Sequence, residues 1–256
     1  MTDFLAFRIF APLASWGDIA VGEVRGSWDH PSRSAVLGMI AAGLGITRDD
    51  DAKHEALERG YGVAVRLEAA GFPLTDFHTA QTATESSLRK RSPVTRAEML
   101  MTFPIETMIS RRTYRQDALA TVVVWGRPDT PDNVPLRSER WSTTDFTAAL
   151  RNPHFVLYAG RKANVLGAPL APMVIMADTL AAAFESYGSC PEIIGERIRP
   201  RDGWGHVVLH DRCDGFESGL KPVARLTRRD GILNRGRWQF AQRNVEQSLL
   251  PGGAGQ

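Results

Sequence analysis

Cysteine is scarce in this chain: Cys190 and Cys213 are the only two among 256 residues, and no CxxC pair occurs. A disulfide framework is thereby excluded, and a reducing, cytoplasmic setting is expected. No run of about 18 apolar residues is present, so no membrane-spanning helix is expected. The opening MTDFLAFRIF lacks a basic region followed by a cleavable apolar core, so no secretory signal is expected. A Walker-type P-loop, a dinucleotide fingerprint, a paired-carboxylate motif and a Ser–His–Asp order are also missing. The acidic turn Arg48-Asp49-Asp50-Asp51 lacks the alternating spacing of a calcium loop and reads as surface. What remains is 43% hydrophobic and 23% charged, the composition of a globular protein with a sizeable core.

Charge is nearly balanced overall, at +2, but unevenly placed. Residues 86–115 hold seven basic and two acidic side chains, and residues 197–243 hold eleven and five. Arg heavily outnumbers Lys in both segments, which favours planar contacts to phosphates and bases over mere solubility. Two basic segments on an otherwise acidic chain point to a polyanion laid along part of the surface.

The chain is organised around HPSRSAVLGMIAAGLGI at 30–46. Val36, Leu37, Ile40, Ala41 and Leu44 recur at helical spacing and form one apolar stripe. Ala35, Gly38, Ala42 and Gly43 are small enough to let another backbone approach closely. Pro31 suits the first turn and Gly45 the left-handed exit. A first helical turn ordinarily favours Asp or Glu. Here it carries Ser32, Arg33 and Ser34, which together with free N–H groups would make a phosphate cradle.

Strands are expected at FLAFRIF (4–10), GVAVRL (62–67), TVVVW (121–125) and HFVLY (154–158), with a further helix capped by Ser142 or Thr143. Lys53 to Arg59 reads as a short helix. The loop APLASWG exposes Ser15 and Trp16, whose indole could stack on a base or plug the core. Residues 80–116 read as an extended hairpin arm returning through Arg111, Arg112, Tyr114 and Arg115. Gly160-Arg161-Lys162 follows a strand and suits a backbone-and-charge contact to phosphate. The order predicts an α+β fold, a ferredoxin-like or RRM-like βαββαβ body over 1–165 with the protruding hairpin included. A smaller, β-rich C-terminal region is expected over 166–250 and a disordered tail over 251–256.

PLASWG at 12–17, HPSRSAVLGMIAAGLGITRDD at 30–50, DFHT at 76–79, YRQDA at 114–118 and LYAGRK at 157–162 occur in one order along the chain. In these motifs it resembles the CasD family of type I-E Cascade subunits, within the RAMP proteins of CRISPR systems. The resemblance implies an RRM-like body that holds the 5′ handle of the CRISPR RNA and caps one end of the backbone filament. It implies a thumb over residues 80–116 reaching a neighbouring CasC subunit, the large CasA subunit alongside, CasB and CasE elsewhere in the complex, and target DNA engaged indirectly. Handle contacts carry over to Ser15, Trp16, Arg33, Ser34, Arg161 and Lys162, and thumb contacts to Arg111, Arg112 and Tyr114. His30 and His78 lie within matched motifs and join the RNA-contacting set. No catalytic residue, cofactor or metal is implied.

Two rivals are expected to fail. A metal-independent endoribonuclease would need a base for the 2′-hydroxyl and a cation for the phosphorane, which His30, His78, Tyr114 and Lys162 could supply. The resemblance assigns cutting to CasE instead. A zinc site of Cys190, His206, His210 and Cys213 would need a bend, because in a strand the two histidines would stand about 13 Å apart.

Overall fold

The computed structural model describes residues 1–17, 20, 22–128, 140–188, 207–234 and 239–250. Its first half contains β1 (Thr2–Ala14), the short strands β2 (Trp16–Gly17), β3 (Val24–Arg25) and β4 (Ser27–Trp28), then α1 (Arg33–Leu44) and α2 (Asp51–Gly60). Next come β5 (Tyr61–Ala69), β6 (Phe72–Ala83), α3 (Glu85–Leu88), α4 (Arg96–Thr102) and β7 (Ile105–Gly126). The remainder is α5 (Thr143–Arg151), β8 (Met173–Ala177), α6 (Leu180–Tyr187), β9 (Val207–His210), β10 (Lys221–Asn234) and β11 (Gln239–Leu249). Among the described residues one large, almost wholly antiparallel sheet dominates, in the order β10-β11-β9-β5-β7-β1-β8. The fold is mixed α/β with few helices.

The apolar runs are continuous because both faces of the sheet are covered. Leu5, Phe7 and Ile9 of β1, with Val122 and Val124 of β7, pack in one core with α1 and α5. Phe4, Ala6, Val123 and Trp125 alternate onto the other face, against α6 and Phe216. Phe4, Trp125 and Phe216 meet edge to face at 5.3–6.4 Å. Arg8, which interrupts the first run, pairs across the sheet with Thr121, as does Arg66. Arg66 is ion-paired to Glu68 at 2.6 Å and donates to the Phe184 and Gly188 carbonyls, placing a cation at the C-terminus of α6.

Helix α1 follows its sequence signals. The Ser32 side chain caps it by accepting from the Ala35 N–H, and Gly45 exits at φ 76°. A Cβ on Gly43 would come to 3.0 Å from the Ala149 carbonyl oxygen, so α5 packs where the small residues permit it. Helix α5 carries a full capping box between Ser142 and Asp145.

Two expectations change. HFVLY is not a strand: its residues run irregularly, with His154 and Phe155 donating to the Gly43 and Ala42 carbonyls. The edge beside β1 is taken instead by β8, pairing Thr2↔Ala177 through Ala6↔Met173. β8 satisfies the free backbone groups of β1, whereas 154–158 satisfies the orphan carbonyls at the end of α1. The arm begins at Phe72, not at residue 80, as the β6–β7 hairpin, and short helices α3 and α4 lie between its strands. β8 adds to β1 and β9 adds to β5, so strands from both halves of the chain join one sheet. The tail at 251–256 lies outside the described residues, as do Cys190 and His206.

Candidate nucleic-acid interface

The start of α1 shows how charge is distributed here. The Arg33 N–H does face a carboxylate, but it belongs to Asp230 of β10, at 2.9 Å. The Arg33 side chain turns inward and is only 3% exposed. It is ion-paired to Asp211 at 2.8 Å and to Glu58, and donates to the Glu58 and Tyr61 carbonyls. Arg243 of β11 binds Asp211 at 2.6 Å and Asp230 at 2.7 Å, and Arg127 reaches Asp211 at 3.1 Å. Three guanidiniums thus face three carboxylates. Burial is the largest influence on the Asp211 carboxyl and would raise it, but Arg33, Arg243 and Arg127 together hold it below the usual carboxylate range. The expected phosphate cradle is therefore corrected at Arg33: an internal carboxylate occupies the helix start and the guanidinium is consumed inside the protein.

Beside this cluster runs a groove of about 1730 Å³. Its walls come from Ser15, Gly17, Ala20, the stretch from Arg25 to the start of α1, the loop at 156–161 and the β10–β11 ribbon. Arg25, Arg161, Arg228 and Arg229 line it, and none of them has a carboxylate partner among the described residues. Arg25 donates to the Gly22 carbonyl and Arg229 to that of Phe240. Arg161 stacks 4.5 Å over the Tyr114 ring and Arg228 3.8 Å over the Trp28 ring. Cations that keep their charge uncompensated, flanked by aromatic rings, suit an extended polyanion that also carries flat groups.

The loop that presents Arg161 is built tightly. Asn164 is buried and donates its side-chain N–H to the Ala159 carbonyl, while its backbone N–H donates to that of Arg161. Gly160 sits at φ +87°, and a Cβ there would fall well under 3.0 Å from the Ser15 carbonyl oxygen. Ser15 donates its N–H to Ala159 at 3.0 Å. Arg161 and the exposed Lys162 are thereby held at the tip of a closed turn.

The other sequence-selected residues separate. Ser15 is buried but lines the groove, its hydroxyl 3.5 Å from the Thr113 carbonyl. Trp16 is only 2% exposed and packs in the α1 core, so stacking on a base is corrected to the core-plugging alternative. His30 is 7% exposed, with Nδ1 2.5 Å from Asp29, and lies on the groove wall. Ser34 also lines the groove, its hydroxyl 3.0 Å from that of Ser32. His78, Tyr114 and Arg161 come together: the Tyr114 hydroxyl is 3.3 Å from His78 Nε2, and Asp76 holds the same nitrogen at 3.0 Å. Arg111 and Arg112 part company, because successive strand residues face opposite sides. Arg112 shares the face of Tyr114, while Arg111 lies over Phe77 on the other.

Trp28, Arg25, Arg228 and Arg229 were not singled out by sequence. Arg228 and Arg229 belong to a basic segment of the sequence, and nothing local pairs Arg228 with a tryptophan 200 positions away. Of the zinc candidates, His210 is buried with its Nε2 3.0 Å from the Ser248 hydroxyl. Burial pushes the Cys213 thiol up to about 12. No group of three metal-ligating side chains forms among the described residues.

Fold and groove define a class, a mixed α/β sheet protein with an arginine-lined groove. The family follows from comparison with known proteins. The profile of the CRISPR-associated protein family Cas5 matches residues 4–246, and the chain belongs to that family. It is 28% identical over 178 residues to the CRISPR system Cascade subunit CasD of Escherichia coli (strain K12), covering 66% of this chain and 70% of that one. Among solved structures it resembles a chain of a CRISPR RNA-guided surveillance complex, at TM-score 0.58 and 22% identity over 96% of this chain and 90% of the other. A crystal structure of a Cas protein matches at TM-score 0.54 and 21% identity, over 97% and 95%.

Proposed function

We propose that this Cascade-type subunit binds the 5′ handle of the CRISPR RNA along the arginine groove and does no chemistry on it. One observation carries the reading: among the described residues four groove arginines have no carboxylate partner, while the neighbouring Arg33 and Arg243 are neutralised internally. A fold that can pair its cations, and does so next door, leaves these for a ligand. On this reading the strand order β5-β7-β1-β8 with its connecting helices is the ferredoxin-like body, and the β6–β7 hairpin is the thumb. The hairpin would reach a neighbouring CasC subunit, with CasA adjacent, CasB and CasE further away, and target DNA engaged through the complex. The exposed Phe72, Phe77 and Met108 of the hairpin suit burial against a protein neighbour.

The endoribonuclease alternative has one geometric support, the meeting of His78 with Tyr114 beside Arg161. Its weakness lies in the same contacts. His78 Nε2 is already shared between Asp76 and Tyr114, which suits a brace at the hairpin base.

The test incubates the full chain in EDTA with handle RNA and with uncut repeat RNA, reading gel shift and cleavage in the same samples. Binding with intact RNA is expected. Arg161→Ala and Arg229→Ala should each weaken it and flatten the salt dependence by about 0.7 in log K against log salt. Specific cleavage of the repeat, lost in His78→Ala, would overturn the non-catalytic reading. Unchanged affinity and slope in both arginine variants would remove the groove.

A further inference from the structure

Resting on the groove reading, we infer that the C-terminal ribbon supplies a stacking platform for one unstacked nucleobase, made of the Arg228 guanidinium held over the Trp28 ring. The ribbon carries no assigned function, and its geometry is unusual in three ways.

First, the β10–β11 register slips between Arg228 and Gly231. A bulge re-aims side chains, and here the consecutive residues Arg228, Arg229 and Asp230 all reach the groove wall. Second, Arg228 stands directly opposite Arg243 in the ladder. Like charges so placed repel. Arg243 is relieved by Asp230 and Asp211, and elsewhere on the ribbon Arg225 is relieved by Glu246. Arg228 has no carboxylate among the described residues and rests instead on an indole.

Third, the cation sits over the indole on the groove wall. Trp28 is partly buried against the α1 core, and both it and Arg228 line the groove. At 3.8 Å the planar cation is in stacking contact. Its outer face is the next layer position, and a flat, electron-rich ring is the group that continues such a stack beside phosphate-binding cations. A purine offers more overlap than a pyrimidine, and an abasic sugar offers none. The platform therefore discriminates at one position of the strand without reading base edges.

The experiment measures binding of single-stranded repeat-derived RNA to the full chain while an abasic site is walked along the RNA. Wild type is expected to lose about tenfold in affinity at one position only. Arg228→Lys keeps the charge but not the plane. It should bind the intact RNA about tenfold more weakly, with an unchanged salt slope and no position-specific abasic penalty. Trp28→Phe keeps a ring under the cation and should retain the penalty, with melting of both variants compared to wild type. If Arg228→Lys keeps wild-type affinity and the same abasic profile, the platform is wrong while the groove stands. If wild type binds no RNA at all, groove and platform fall together.

Discussion

Asp211→Ala should cost the protein about 3–5 kcal/mol, or prevent its folding outright, although Asp211 does not line the groove. Its carboxylate is 3% exposed and takes ion pairs from Arg33, Arg127 and Arg243, plus the Val63 N–H at 3.0 Å. Removing it leaves buried guanidiniums facing two carboxylates instead of three, with the Arg33 Nε donor unpaired. Asp211→Asn should lose a comparable amount, because shape is kept but charge is not. The same group predicts acid sensitivity. Its folded carboxyl lies below the ordinary value, so its contribution is fully present above about pH 4 and fades as pH falls below that. Urea unfolding of wild type across pH 2–7 should show this loss, and Asp211→Asn should show less of it. A variant within about 1 kcal/mol of wild type would show that the cluster is not a keystone.

Gly160→Ala is expected to separate the loop from the groove. The backbone there lies in the left-handed region, and the added methyl would collide with the Ser15 backbone, which has no room to retreat. Strain of this kind costs roughly 1–3 kcal/mol. The closed turn would have to shift, and Arg161 would leave its seat on Tyr114. Handle affinity should fall by about tenfold or more, while the buried core is untouched and far-ultraviolet dichroism is retained. Gly126→Ala is the matched control: it lies outside the groove lining and a Cβ there meets nothing within 4 Å, so affinity and melting should not change. Wild-type affinity in Gly160→Ala would show that the turn does not position Arg161.

The two variants mark where the sequence was readable. Helix α1 was legible to its caps, because Ser32, Gly45 and the apolar stripe act within a few residues of one another. The central strands were legible for the same reason: Val122 to Val124 read as a sheet centre and lie in one. HFVLY misled because its composition is that of a strand, while the choice of which segment pairs with β1 rests on partners in space. The basic segments were visible as charge, but their division between structure and surface was not. Arg33 and Arg161 each follow or join a Ser or Gly turn, and only one of them faces the groove as an uncompensated cation.

By itself the sequence determined that helices and strands are mixed, the positions of the principal helices, a central β-branched strand and the surplus of arginine. Local spacing, capping chemistry and composition suffice for these. Tertiary structure decided which arginines are spent internally and which remain for a ligand. Arg33 meets Asp211 across 178 positions, and Arg228 meets Trp28 across a similar span. Pairing energies of that kind depend on distance and burial in space, which no local pattern carries.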